Sequence, residues 1–134
     1  MFKINTVVDK NKATQMNPLV LAFIGDAVYS LYVREKLAFN SDLKVGGLNK
    51  ISAKTVSAKA QAEFMQTLMP ILTEEEVAIY KRARNTKKGT RAKNAGVQEY
   101  NTSTGFEAVV GYLYVIGETE RLDFLLNYGD SNED

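Results

Sequence analysis

Residues 17–39 read NPLVLAFIGDAVYSLYVREKLAF, and this stretch decides the fold class. Asn17 is a favoured N-cap residue, and Pro18 suits the first helical position, where a missing N–H is harmless. The run beyond them is apolar on nearly every face through Val33. It predicts a helix buried on all sides, in a core or in a subunit interface. Polar punctuation at residues 40–42 and Gly46-Gly47 ends it. Gly25-Asp26 breaks the pattern from within. Glycine there costs about 1 kcal/mol against alanine, and an unpaired buried carboxylate costs several more unless it stays neutral. Asp26 therefore either pairs with a lysine at a helix bend or is put to chemical use.

Working outward, residues 1–16 are polar, with a short extended piece expected around Ile4–Val8. Residues 48–69 read as one helix, with Leu48, Ile51, Val56, Ala60, Phe64 and Leu68 inward, Lys50, Lys54 and Lys59 outward, and Pro70 as its stop. Thr73 with Glu76 is a capping box that opens a helix carrying Val77, Ile79, Tyr80 and Ala83. That helix runs into KRARNTKKGTRAKNAG at 81–96, whose asparagines and glycines predict a loop in its second half. Thr102 or Ser103 can cap the next helix, where Phe106, Val109, Val110, Leu113 and Tyr114 follow helical spacing and Gly117 fits the C′ position. A last helix near 118–127 carries Leu122, Leu125 and Leu126, and NYGDSNED at 127–134 reads as a frayed acidic tail. No repeat or strand pair emerges. The expectation is one all-α domain over 1–134, with its core at about 17–126.

Composition narrows the chemistry. The 134 residues include no cysteine and no histidine, which removes disulfides, thiolate nucleophiles, His- or Cys-held metals and histidine-based catalysis. No apolar run reaches the ~18 residues of a membrane span, and MFKINTVVDKNK lacks a signal-peptide core, so a cytoplasmic protein with no membrane partner is expected. The net charge of +1 hides an asymmetry. Residues 77–98 carry seven basic and no acidic side chains, whereas residues 99–134 carry one basic and eight acidic. The basic window is either a solvated loop or a track for a polyanion.

Glu107 is the second break in an apolar pattern, inside TGFEAVVGYLY at 104–114. It shares a helix face with Gly111 and Tyr114. One reading makes it a solvent-facing acid in the first turn, favoured there by the helix dipole. The other pairs it with Asp26: two largely apolar helices packed together would bring two carboxylates face to face. Such a pair repels unless a cation joins it, and Mg²⁺, which takes oxygen ligands, answers that need. Metal-assisted hydrolysis of a phosphodiester needs no histidine.

FIGDAVYSLYV at 23–33 resembles the signature helix of the ribonuclease III catalytic domain, and TGFEAVVGYLY at 104–114 resembles that domain's second metal-binding helix. VSAKAQAE at 56–63, TEEE at 73–76, KRARNTKKGT at 81–90 and Lys93-Asn94 are similar to the branch consisting of the catalytic domain alone, Mini-ribonuclease III. The likeness covers roughly residues 17–126. It implies a homodimeric, all-α, Mg²⁺-dependent endoribonuclease for double-stranded RNA, without an appended RNA-binding domain. Asp26 matches the signature aspartate and Glu107 the glutamate of the second helix, which in the family hold the metal and act in catalysis. Two further carboxylates of larger ribonucleases III fall at Ala22 and Thr104 here, which leaves fewer negative ligands, a trait the Mini-III branch shares. Phe23 matches the aromatic that enters the partner subunit. The resemblance further implies the 23S precursor of large-subunit ribosomal RNA as substrate, trimmed near both ends, within a ribonucleoprotein containing a large-subunit ribosomal protein.

Recognition of A-form RNA leans on shape and phosphate contacts, so a lone catalytic domain must supply its own cations. Arg82, Arg84, Lys87, Lys88, Arg91 and Lys93 are the candidates, with Lys54 and Lys59 secondary and otherwise ordinary solvated lysines. The rival function is a catalytically silent double-stranded-RNA-binding module of ribosome assembly, which Ala22 and Thr104 favour and the retention of Asp26 and Glu107 opposes.

Overall fold

A helix buried almost all the way round runs through the middle of the molecule. The computed structural model describes residues 7–86 and 96–131, and within them this central element is α6 (Val97–Val115). From Ser103 to Val115 only Glu107 and Tyr114 keep partial exposure. Around it pack α2 (Pro18–Asn40), α4 (Ala58–Leu68) and α5 (Glu74–Asn85), with α7 (Thr119–Leu126) at its end. α1 (Lys10–Gln15), α3 (Val45–Thr55), a 3₁₀ turn at Met69–Ile71 and α8 (Tyr128–Ser131) complete the described elements, all helical. None of them is long and apolar enough to cross a membrane.

Local signals set several boundaries. The Asn17 side chain accepts from the Leu19 N–H at 2.8 Å and starts α2. Thr73 and Glu76 form the expected capping box. Gly117 takes φ +79°. Its N–H donates to the Tyr114 carbonyl and the Glu118 N–H to that of Leu113, the paired bonds that close a helix through a left-handed residue.

Other expectations give way. α2 buries one stripe, Leu21, Ala22, Gly25, Tyr29 and Val33, and leaves Val20, Phe23, Leu31 and Phe39 exposed. Of the two readings of its apolar faces, full burial within one protomer is therefore wrong. The helix expected over 48–69 is two, because the Ser57 hydroxyl accepts from Ala60 N–H at 3.2 Å and starts α4 afresh. The break resets the helix phase, so Gln61, Met65 and Leu68 face the core while Ile51 is exposed. α6 begins five residues before Thr102, and Ser103 and Thr104 are interior residues whose hydroxyls donate to the Tyr100 carbonyl. The expected acidic tail starts with structure: α8 follows directly on α7, and Tyr128 packs against the core.

Two cross-links were not visible in the periodicity. Arg121 on α7 grips Glu76 with two bonds, Nε to Oε2 at 2.9 Å and Nη2 to Oε1 at 2.8 Å, and also donates to the Ile71 carbonyl. Glu76 is 3% exposed, so this fork satisfies a carboxylate that would otherwise be costly inside. At the other end Arg82 donates to the carbonyls of Thr14 and Met16, while the Val8 N–H reaches the Val115 carbonyl at 2.7 Å. These bonds fasten α1 and the strand of chain before it. The extended piece proposed for residues 4–8 falls mostly outside the described residues, and Val7 and Val8 have no regular structure.

Candidate active site

The site is built by a close helix crossing. α2 and α6 meet where neither has a side chain: a Cβ placed on Gly25 would lie 1.7 Å from the Glu107 carbonyl oxygen and 2.8 Å from the Gly111 nitrogen. Only glycine permits such a backbone approach. The residue after Gly25 is Asp26, so the crossing itself brings Asp26 beside Glu107.

Their carboxyls are within hydrogen-bonding reach of each other. Burial pushes Glu107 up, the hydrogen bond and negative charge of Asp26 add to it, and the group reaches about 8. Glu107 therefore keeps its proton up to about 8 beside the Asp26 carboxyl. Asp26 itself is exposed, which corrects its expected burial. Glu107 is half-buried in the third turn of its helix, not solvent-facing in the first. The sites of the two absent carboxylates, Ala22 and Thr104, are buried on the same helices.

Gln61 completes the arrangement, and sequence periodicity missed it. It is 1% exposed, and its Nε2 donates both to the Val56 carbonyl at 3.1 Å and to Glu107 Oε2 at 3.3 Å. Its Oε1 is buried with no protein partner among the described residues. A glutamine in an otherwise inward helical row was the available signal. The helix break at residues 56–57, which puts position 61 inward, hid it.

Among the described residues no set of three or more His, Asp or Glu side chains converges. Two neighbouring carboxyls, with an unpaired amide oxygen nearby, nevertheless suit a small hard cation. Asp26 and Glu107 would hold such an ion, which would take the place of the Glu107 proton and supply Lewis acidity there. The donor set fits a divalent metal.

The other predicted residues are distributed. Phe23 lies on the outer face of α2, 80% exposed. Lys54 and Lys59 are exposed on either side of the α3–α4 break. Arg84 lies over the Tyr80 ring, 5.3 Å from its centroid, and its Nε donates to the Asn85 side chain. Arg82 is exposed at the end of α5 and donates to the carbonyls of Thr14 and Met16. Lys87, Lys88, Arg91 and Lys93 lie outside the described residues.

An all-helical fold with a carboxylate pair at a glycine crossing defines a narrow class. Residues 19–118 match the model of the ribonuclease III domain. A crystal structure of a protein from Fusobacterium nucleatum superimposes with a TM-score of 0.79 at 31% identity, covering 90% of this chain and 96% of that one. The Mini-ribonuclease 3 of Clostridium tetani is 48% identical over 118 residues, covering 87% of this chain and 78% of that protein. That of Enterococcus faecalis is 44% identical over 126 residues, covering 89% and 96%. The chain thus belongs to the ribonuclease III domain family, on its Mini-ribonuclease 3 branch, and is an endoribonuclease.

Proposed function

We propose that the chain is a single catalytic domain that hydrolyses double-stranded RNA with Mg²⁺, as a homodimer whose two sites cut the two strands. The observation that carries this reading is the Asp26–Glu107 carboxyl pair at the Gly25–Gly111 crossing. Bound by that pair, Mg²⁺ would supply Lewis acidity at the scissile phosphate and acidify a water for attack. The chain's own part is positional. Asp26, the exposed member, would meet the metal and substrate from solvent, half-buried Glu107 would give up its proton, and Gln61 holds Glu107 Oε2 in place.

The homodimer is supported by α2, whose outer face shows Phe23 80%, Leu31 60% and Val20 45% exposed. An apolar row of that kind marks an interaction surface. The basic window at 81–93 and Lys54 and Lys59 supply the cations a duplex needs. On this reading the substrate is the 23S ribosomal RNA precursor in the cytoplasm, presented with a large-subunit ribosomal protein.

Incubating the protein with duplex RNA and Mg²⁺ tests the reading. Cleavage is expected, and it is lost in EDTA and in Asp26→Asn. Wild-type cleavage by a folded Asp26→Asn protein would rule the mechanism out.

A further inference from the structure

A groove of about 330 Å³ opens between α2 and α3, lined by Ser30, Arg34, Asn49, Ser52, Ala53 and Val56. Four of these six side chains are polar and none is acidic. Arg34 is exposed and makes no hydrogen bond or ion pair among the described residues. A guanidinium left open beside an amide and a hydroxyl presents a planar fork of donors that matches a phosphate.

Position ties this groove to the carboxylate site along two routes. Asp26, Ser30 and Arg34 are spaced four residues apart on α2, so they climb one edge of the helix over ~12 Å. Val56, at the groove, gives its carbonyl to the amide of Gln61, and that same amide holds Glu107. The Ser52 hydroxyl is spent on the Asn49 carbonyl at 3.1 Å, which leaves the Asn49 amide, the Ser30 hydroxyl and the Arg34 fork to meet a ligand.

We propose that this groove is a subsite for a backbone phosphate of the RNA strand being cut, a short way along from the scissile bond, with Arg34 its principal ligand. The proposal rests on the double-stranded-RNA reading given above. It adds a fixed cation on a helix to the basic track at 81–93, and it sets the register of the strand over Asp26. Lysine in place of Arg34 keeps the charge and loses the bidentate fork.

The test uses the full chain, duplex RNA with one cleavage site, and binding in EDTA, where cleavage does not compete. Arg34→Ala is expected to weaken binding about tenfold and to reduce the log–log salt slope by about 0.9 if the duplex behaves like B-DNA. Arg34→Lys should keep the slope and recover only part of the affinity. A methylphosphonate scan of the cut strand then locates the contact. One neutralised phosphate near the scissile bond should cost wild type as much as Arg34→Ala does, and should cost the Arg34→Ala protein nothing further. Additive losses, or unchanged binding by Arg34→Ala, overturn the subsite. So does dissociation of an Arg34→Ala dimer in sedimentation, which would assign the side chain to a protein interface. If wild type neither binds nor cuts duplex RNA, the functional reading fails with it. Cutting that is indifferent to Arg34 sinks the subsite alone.

Discussion

Gly25 and Gly111 touch backbone to backbone. A Cβ on Gly111 would lie 1.9 Å from the Leu21 carbonyl oxygen and 3.0 Å from the Gly25 nitrogen, and the mirror contact holds for Gly25. What it would meet is helix backbone, which cannot swing aside as a side chain can. Gly111→Ala must therefore push α2 off α6. We expect a loss of about 3 kcal/mol or more in urea unfolding, at or beyond the upper end for overpacked cores. Any folded remnant should cleave RNA poorly, because the same shift parts Asp26 from Glu107. A Gly111→Ala protein of wild-type stability would show that the crossing is looser than described.

The carboxyl pair gives metal-free stability a distinctive pH profile. The Glu107 carboxyl stands at about 8 in the folded chain, against an ordinary value of 4.5. Between those values the folded state holds a proton that the unfolded state has released, so stability falls as pH rises through that window. With no histidine or cysteine in the chain, little else titrates there. In EDTA the melting temperature should drop between pH 5.5 and 8.5, and Glu107→Gln should flatten the profile. On the proposed reading Mg²⁺ would displace the Glu107 proton, so its stabilising effect should be larger at pH 8.5 than at pH 6. A flat wild-type profile in EDTA contradicts the pairing.

Much of this was legible and some was not, for physical reasons. Asn17-Pro18, the Thr73–Glu76 box and Gly117 are local devices whose chemistry is complete within a few residues. Asp26 and Glu107 stood out because each interrupts an apolar run. Gly25 read only as a helix weakness and Gly111 only as a neighbour on the Glu107 face, since a backbone contact between positions 86 residues apart leaves no periodic trace. Gln61 was hidden by a shift in helix phase at Ser57, and the bonds from Arg82 to Thr14 and Met16 were hidden because α1 is too short to show a pattern.

Gln61 acts through Glu107, so its loss should show in metal affinity before it shows in fold. Its amide hydrogen bond pulls Glu107 down, against burial and Asp26. Gln61→Leu removes that pull and raises the carboxyl further above neutral pH. Apparent Mg²⁺ affinity at pH 7, read from thermal shifts, should weaken roughly 10- to 100-fold, with a smaller deficit at pH 9. An equal deficit at both pH values would make Gln61 a packing residue only.

The Arg121–Glu76 fork is a separate, purely structural matter. Burial opposes ionisation of Glu76, but the hydrogen bonds from Arg121 and Thr73 outweigh it and hold the carboxyl below its ordinary value. Its stabilising contribution is thus present above about 4.5 and is lost as pH falls through the lower folded value. Arg121→Ala strands a buried carboxylate and should cost about 3 kcal/mol at pH 7. The deficit should shrink in acid as Glu76 protonates. A deficit that persists unchanged at low pH would trace the loss to packing of Arg121 instead.

The most direct measurement of the central claim is a crystal grown with Mn²⁺ in place of Mg²⁺ and measured for anomalous scattering. One peak coordinated by the Asp26 and Glu107 carboxylates, absent from Asp26→Asn crystals, is the expected result. Well-ordered carboxylates that turn away from each other, with Mn²⁺ bound elsewhere or nowhere, would contradict it.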